Sequence, residues 1–132
     1  MFVKDVMTNK IVSIDSNETI ESASNKYRDF KIGCLMVTDG DDVVGIVTER
    51  DFIERTICIG INPKITKIKE IMSSSIKTIN SDDSIADALD ILKQNKIKKL
   101  PVVSDNRLVG IITITDIAYS RSKIQEFLEK NE

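Results

Sequence analysis

GIVTERDF (residues 45–52) and GIITITDI (residues 110–117) are the two stretches that decide the fold of this chain. Each runs through glycine, two branched aliphatic residues, threonine, two variable residues and aspartate. The displacement that brings position 45 onto position 110 aligns the rest of the chain without a gap, for example VKDVMT (3–8) with IKEIMS (68–73). The sequence therefore predicts a duplicated unit, which is the sign of a repeat architecture.

Both copies predict the same order of elements, β-α-β-β-α. A short strand opens each copy, at Ile11–Ile14 and at Ile76–Ile79. A helix follows, because apolar residues recur at helical spacing, most clearly at Ile85, Ala88, Leu89 and Leu92. Ser16 and Ser81 are the predicted N-caps of these helices, since a serine hydroxyl accepts from the free N–H groups of a first turn.

Two strands joined by a tight turn come next in each copy. Asp39, Gly40 and Asn106 suit the positive φ of such turns, and Pro101 suits the start of its strand. A helix follows each G-hydrophobic-hydrophobic-T segment, and AYSRSKIQEFLEKNE reads as amphipathic, with Ile124, Phe127 and Leu128 on its apolar side.

The repeats are predicted to occupy residues 1–60 and 61–132, because Gly60, Asn62 and Pro63 interrupt the chain between them. A unit near 60 residues has an apolar face that it does not cover alone. We therefore expect a mixed α/β fold in which the two units pack face to face about a pseudo-twofold axis. Met7 and Met72 occupy equivalent positions and are expected to fill the core.

Composition narrows the function. The formal net charge is −2, and the chain has four Phe, two Tyr and no Trp, which disfavours a nucleic-acid interface. No apolar run reaches the roughly 18 residues of a membrane span, and the N-terminus lacks the apolar core of a signal peptide, so we expect a cytoplasmic protein. The absence of His removes the commonest general base and metal ligand, and we expect no enzymatic activity.

Two smaller features each have two interpretations. Cys34 and Cys58 have no CxxC spacing and are expected to be reduced, partly buried thiols rather than a disulfide or redox pair. DGDD (39–42) is expected to be a solvated hairpin turn rather than a calcium loop, which needs more oxygen ligands at defined spacing. We therefore predict no metal site.

The gapless repeat, the β-α-β-β-α order, the LPVV strand and the doubled G-hydrophobic-hydrophobic-T-x-x-D motif resemble a tandem pair of CBS domains, the regulatory modules named after cystathionine β-synthase. The resemblance covers residues 3 to 120, so the chain looks like a stand-alone module. It implies binding of AMP, ADP, ATP or S-adenosylmethionine in two clefts between paired units. It also implies that pairs often dimerise into a flat disc.

The T-x-x-D motif has a structural and a functional interpretation. Thr48 to Asp51 and Thr113 to Asp116 lie where a strand meets a helix, which is the pattern of a capping box. The same geometry offers hydroxyl and N–H groups to a phosphate and a carboxylate to ribose hydroxyls. The two interpretations are compatible, because a ligand can use a helix cap.

The resemblance implies a preferred cleft around Asp116, in which Gly33 leaves room for a flat base and Lys10 meets phosphate. The residues of this first cleft are Thr113, Thr115, Asp116, Thr8, Lys10, Val12, Ile32, Gly33 and Cys34.

A second cleft is implied around Asp51. KIKK (96–99) reads either as solvated charge or as a phosphate-binding edge, to which Arg50 adds a planar fork. We expect the two clefts to be unequal. The residues of this second cleft are Thr48, Arg50, Asp51, Ser73, Ser75, Lys77, Ile97, Lys98 and Lys99.

The sequence therefore predicts an adenine-nucleotide sensor that modulates an unidentified partner protein and forms a homodimer. One alternative is a structural dimerisation or interaction module with vestigial clefts. RNA or DNA binding is a further alternative, and an enzyme is the least favoured.

Overall fold

A computed structural model describes the backbone of residues 1–130 and the side chains of residues 1–120, 129 and 130. The helices are α1 (Val3–Val6), α2 (Ile20–Phe30), α3 (Glu49–Phe52), α4 (Ile85–Asn95) and α5 (Ile114–Lys130). The strands are β1 (Ser13–Asp15), β2 (Cys34–Asp39), β3 (Asp42–Thr48), β4 (Ile79–Asn80), β5 (Lys99–Ser104) and β6 (Arg107–Thr113). A π-helical turn, Ile53–Ile57, continues α3, and a 3-10 turn lies at Ile68–Glu70.

These elements confirm the mixed α/β fold and the duplicated β-α-β-β-α order. Each repeat forms a three-stranded sheet, in the orders β1-β2-β3 and β4-β5-β6. The first strand pairs parallel with the central strand, and the central strand pairs antiparallel with the third. The predicted helix from Ala118 onward is present as part of α5, whereas the side chains of Ile124, Phe127 and Leu128 lie outside those described.

The helix caps differ from the sequence prediction. Thr19 and Ser84, three residues after Ser16 and Ser81, accept from the backbone of the first helical turn at 3.1 Å each. The chain makes a turn before each helix, because the side chain of Asp15 or Asn80 accepts a backbone N–H two residues later. The predicted caps, Ser16 and Ser81, are instead buried.

The first strands also start later than predicted, at Ser13 and Ile79 rather than at Ile11 and Ile76. The second of these strands, β4, is also shorter than β1. In the first repeat, the N–H of Met36 donates to the carbonyl of Val12 at 3.1 Å. The equivalent residue is Pro101, which has no N–H to donate. Pro101 is the third residue of β5 and not its first, and β4 has two residues where β1 has three.

The hairpin turns follow the sequence prediction in part. Gly40 and Asn106 have φ of 62° and 64°, as predicted. Asp39 does not have positive φ, because it ends β2, and Asp105 has φ of 50° instead. The stretch 39–42 is therefore the expected hairpin turn. Gly60 also has positive φ, at 81°.

The chain forms two compact units that do not coincide with the two sequence repeats. One unit contains Ile11–Ile76, and the other contains Met1–Lys10 and the chain from Lys77 onward. The segment that opens each repeat therefore belongs with the sheet of the other repeat. The boundaries 1–60 and 61–132 remain a prediction about the duplication in sequence.

Equivalent backbone bonds hold the opening segments in place. Val3 N–H donates to the carbonyl of Asp83 at 2.8 Å, and Ile68 N–H donates to the carbonyl of Glu18 at 2.8 Å. Val3 and Ile68 are completely buried in the cores of their units. Met7 and Met72 pack against these cores as partly buried residues, which confirms their predicted role.

Candidate ligand-binding site

In the second repeat, the T-x-x-D motif is a complete capping box at the start of α5. Thr113 N–H donates to Oδ2 of Asp116 at 3.1 Å, and Asp116 N–H donates to Oγ1 of Thr113 at 3.0 Å. Both side chains are partly buried. The structural interpretation of the motif is therefore correct, and the arrangement also holds the carboxylate at the first turn of a helix of 17 residues.

The first-repeat motif has a different set of bonds. Thr48 N–H donates to Oδ2 of Asp51 at 2.9 Å, and the Thr48 hydroxyl also donates to Oδ2, at 3.3 Å. The other oxygen, Oδ1, lies 3.6 Å from Nε of Arg55. One oxygen of the Asp51 carboxylate is therefore hydrogen-bonded and the other forms an ion pair.

A cavity of about 360 Å³ lies beside the second motif, inside a single compact unit. Its lining residues are Lys98, Lys99, Thr113, Ile114 and Thr115. The strand pairing explains this grouping, because Lys99 lies opposite Thr113 in the β5–β6 register and Ile114 N–H donates to the Lys98 carbonyl at 3.1 Å. These lysines and threonines are predicted from the sequence to lie in two different clefts, whereas the structure brings them together.

The other residues predicted to line the cleft around Asp116 are divided between the two units. Thr8 lies in the same unit as Asp116, where it forms a reciprocal backbone pair with Ile111 at 2.9 and 3.0 Å, and Lys10 ends the same segment. The predicted base-binding residues are Val12, Ile32, Gly33 and Cys34, and they belong to the other unit. Their role remains a prediction.

The residues predicted around Asp51 are divided in the same way. Ser73, which pairs with Ile46, and Ser75 lie in the unit of Asp51, whereas Lys77 and Ile97 lie in the other unit. Arg50 is exposed, and its Nε lies 2.8 Å from Oε1 of Glu54. This hydrogen bond raises the pKa of the Arg50 guanidinium. The Arg50 guanidinium, which is predicted to bind phosphate, is thus directed to Glu54.

Sequence reasoning missed Arg55 and Ile114. The spacing of Asp51 and Arg55, four residues apart, is a recognisable signal for an ion pair on a helix. Ile114 carries no such signal, because its position in the cavity depends on the pairing of β5 with β6.

A second and larger recess, of about 660 Å³, lies in the unit Ile11–Ile76. Residues from α2, from α3 with its π turn, and from the adjoining loops line it: Ile20, Ser24, Tyr27, Arg28, Lys31, Ile32, Glu49, Phe52, Ile53, Thr56, Ile57 and Pro63. Tyr27 and Phe52 meet edge to face at 4.9 Å between ring centroids. Ile53 and Ile57 are 55% and 74% exposed at its edge.

Neither Cys34 nor Cys58 forms a disulfide, and Cys58 is exposed rather than partly buried as predicted. In the part of the chain that the structure describes, no three side chains of His, Cys, Asp or Glu come together as a metal site would need. Within the same residues, no helix has both the length and the apolar character that a bilayer crossing requires.

Comparison with known sequences shows that residues 3–57 and 68–123 match the family model of the CBS domain. The CBS domain-containing protein YhcV of Bacillus subtilis is 32% identical over 119 residues, which are 90% of this chain and 84% of that protein. Hypoxic response protein 1 of Mycobacterium tuberculosis is 30% identical over 116 residues, or 87% of this chain and 81% of that protein.

Solved structures give the same picture. Hypoxic Response Protein I with two coordinated zinc ions superimposes with a TM-score of 0.81 and 29% identity, covering 91% of this chain and 98% of that one. The CBS domain pair of protein MJ0100, in complex with 5′-methylthioadenosine and S-adenosyl-L-methionine, superimposes with a TM-score of 0.79 and 28% identity. That match covers 93% of this chain and 97% of the other.

Proposed function

The chain belongs to the CBS domain family, and from this membership we propose that it is a regulatory module that binds an adenosine-containing ligand. The candidates are AMP, ADP, ATP and S-adenosylmethionine. In this proposal, the ligand changes the surface that the module offers to a regulated partner protein, and the module itself catalyses no reaction.

The observation that carries the proposal is the cavity beside Asp116. Lys98 and Lys99 supply ammonium groups, and Thr113 and Thr115 supply hydroxyls, which together suit the oxygens of a phosphate chain. Asp116 supplies a carboxylate, which accepts hydrogen bonds from ribose hydroxyls.

The apolar residues predicted to hold the base, Val12, Ile32, Gly33 and Cys34, remain part of the proposal. The complex of MJ0100 with two adenosine compounds supports the ligand class. A ligand changes the conformation of such a module only if it binds one arrangement more tightly than another.

Calorimetric titration of the wild type and of Asp116→Asn with AMP, ADP, ATP and S-adenosylmethionine tests the proposal. Asparagine keeps the shape of the side chain and an acceptor for Thr113 N–H but removes the charge. We expect micromolar binding of at least one ligand, about −8 kcal/mol, and at least a roughly tenfold loss in the variant. The proposal fails if none of the four ligands binds or raises the unfolding temperature.

The large recess in the first repeat favours a second function, self-association. Phe30 and Ile57 are 51% and 74% exposed, whereas the equivalent sequence positions of the second repeat are Asn95 and Ser122. Apolar side chains at positions where the duplicate copy has polar ones indicate a covered surface. We propose that a second copy of the chain covers it.

The geometry suits a twofold interface. Ile53 and Ile57 are exposed at the edge of a recess of about 660 Å³, so the same surface has exposed apolar side chains and a concavity that can receive them. In a twofold dimer, each copy presents the same patch, and such a patch is complementary to itself. A homodimer of this kind is compatible with ligand sensing and also serves the alternative interaction-module function.

A further inference from the structure

The two motif aspartates differ in the residue that follows them by one helical turn. Arg55 follows Asp51 by four positions, and Ser120 follows Asp116 by four positions. These two residues are equivalent in the duplication. The same motif is therefore followed by an arginine in the first repeat and by a serine in the second, and the two motifs can be compared within one chain.

Arg55 is held between the motif and the segment that packs on β3. Its Nε lies 3.6 Å from Oδ1 of Asp51, and its Nη1 donates to the carbonyls of Ile71 and Met72 at 3.0 and 3.3 Å. The Asp51 side chain is only 16% exposed, and that of Arg55 is 48% exposed. The guanidinium is thus bound on two sides at once.

The bonding of the two carboxylates differs accordingly. Asp51 uses Oδ2 for both the N–H and the hydroxyl of Thr48 and Oδ1 for Arg55. Asp116 accepts Thr113 N–H on Oδ2, and among the side chains that the structure describes it forms no ion pair. The hydroxyl of Ser120 is directed to the sulfur of Met1, at 3.5 Å.

We propose that Arg55 closes the Asp51 motif to ligand, so that the chain binds one adenosine ligand, at Asp116. This inference rests on the proposed function and names the residue that decides how many sites operate. A ribose hydroxyl that donates to Oδ1 of Asp51 competes with the Arg55 guanidinium for that oxygen. Because two backbone carbonyls also hold Arg55, the displaced cation stays nearby without its carboxylate partner.

The test exchanges the two residues in the full chain. Arg55→Ser gives the first motif the residue of the second, and Ser120→Arg places an arginine one turn from Asp116, at the spacing of a helical ion pair. Arg107→Ser, an exposed arginine at the start of β6, is the matched control. The number of ligands per chain is measured by calorimetric titration with ATP and, separately, with S-adenosylmethionine, after circular dichroism has shown that each variant is folded.

We expect one ligand per chain for the wild type and for Arg107→Ser, two for Arg55→Ser, and at least a roughly tenfold weaker single site for Ser120→Arg. Two ligands in the wild type, unchanged stoichiometry in Arg55→Ser, or loss of the existing site in Arg55→Ser overturns the inference and leaves the proposed function standing. No binding of either probe by the wild type overturns the inference, and the proposed function fails with it if AMP and ADP do not bind either. If Arg55→Ser does not fold, Ser120→Arg decides the question, because an unchanged affinity there contradicts closure by arginine.

Discussion

Gly110 lies directly beneath Met7 and Thr8. A Cβ atom at Gly110 would stand 2.7 Å from the Thr8 carbonyl oxygen and 2.8 Å from the Met7 sulfur. Gly45 has the equivalent relationship with Met72, whose Cγ would be 2.8 Å away, and with the carbonyl of Ser73, at 3.0 Å. The glycine of each repeated motif therefore makes room for the opening segment of the other repeat, and its role is structural.

This packing predicts unequal effects of alanine at the two glycines. Gly110→Ala should lower the free energy of unfolding by about 1–3 kcal/mol, because the nearest obstacle is a backbone carbonyl. Gly45→Ala should cost less, because its nearest contact is the flexible Met72 side chain. Urea unfolding of both variants measures the difference. Shortening Met72 to alanine in the Gly45→Ala background should restore part of the loss, and a larger effect at Gly45 than at Gly110 would contradict the packing argument.

The observed helix caps give a second prediction. Thr19→Ala and Ser84→Ala should each lower the free energy of unfolding by about 0.5–2 kcal/mol, because a first-turn N–H loses its acceptor. Thr19→Ser keeps the oxygen and serves as the control, with stability near that of the wild type. Thermal and urea unfolding report these changes. Equal stability of Thr19→Ala and Thr19→Ser would show that the cap hydrogen bond does not contribute.

The burial of Tyr27 predicts that the stability of the fold depends on pH. Its hydroxyl donates to the carbonyl of Val47, and burial, followed by the nearby Cys34, Glu49 and Asp51, raises the pKa of the phenol above its ordinary value of 10.0. A raised pKa in the folded chain gives stability that is present below the ordinary pKa and is lost as pH rises above it, because the unfolded chain then releases the proton first.

The wild type should therefore lose about 1.4 kcal/mol more than Tyr27→Phe between about pH 8 and about pH 11. Guanidinium unfolding at both pH values measures this difference. Parallel pH dependence of the two proteins would mean that Tyr27 ionises equally easily in the folded and unfolded chains.

The lysines of the small cavity predict a preference for charged ligands. Lys98→Gln combined with Lys99→Gln should weaken ATP binding by about tenfold or more, because two ammonium groups near the phosphates are lost, while binding of 5′-methylthioadenosine should change by less than about threefold. Titration with both ligands measures the two affinities. Lys93→Gln, at an exposed position of α4, is the control for a general change in charge. An equal loss of affinity for both ligands would show that the lysines do not bind the phosphates.

The recess in the first repeat predicts a specific way to disrupt self-association. Ile57→Asp should raise the dimer dissociation constant by about tenfold or more, because a carboxylate would be buried without a partner. Ile59→Asp is the matched control, since Ile59 is 66% exposed but does not line the recess. Sedimentation velocity across a range of concentrations measures the change. A dimer that is equally stable in both variants, or a wild-type monomer, would exclude this surface as the interface.

The sequence by itself determined the duplication, the fold class and the order of elements. These follow from local properties, because the spacing of apolar residues in α4 and the turn residues Gly40 and Asn106 act within a few positions. It also identified the T-x-x-D pairs, since both partners of a capping box lie within one helical turn.

Only the tertiary structure decided which residues meet across the chain. Lys31 and Lys96 end α2 and α4 in the left-handed region, with φ of 51° and 53°, although lysine does not favour it. The neighbourhood of Lys99 and Thr113, and the bonds from Arg55 to the carbonyls of Ile71 and Met72, depend on strand register and on the exchange of opening segments. Such contacts join residues that are distant in sequence, and their free energy depends on packing. Packing between distant residues cannot be predicted from the periodicity of a short stretch of sequence.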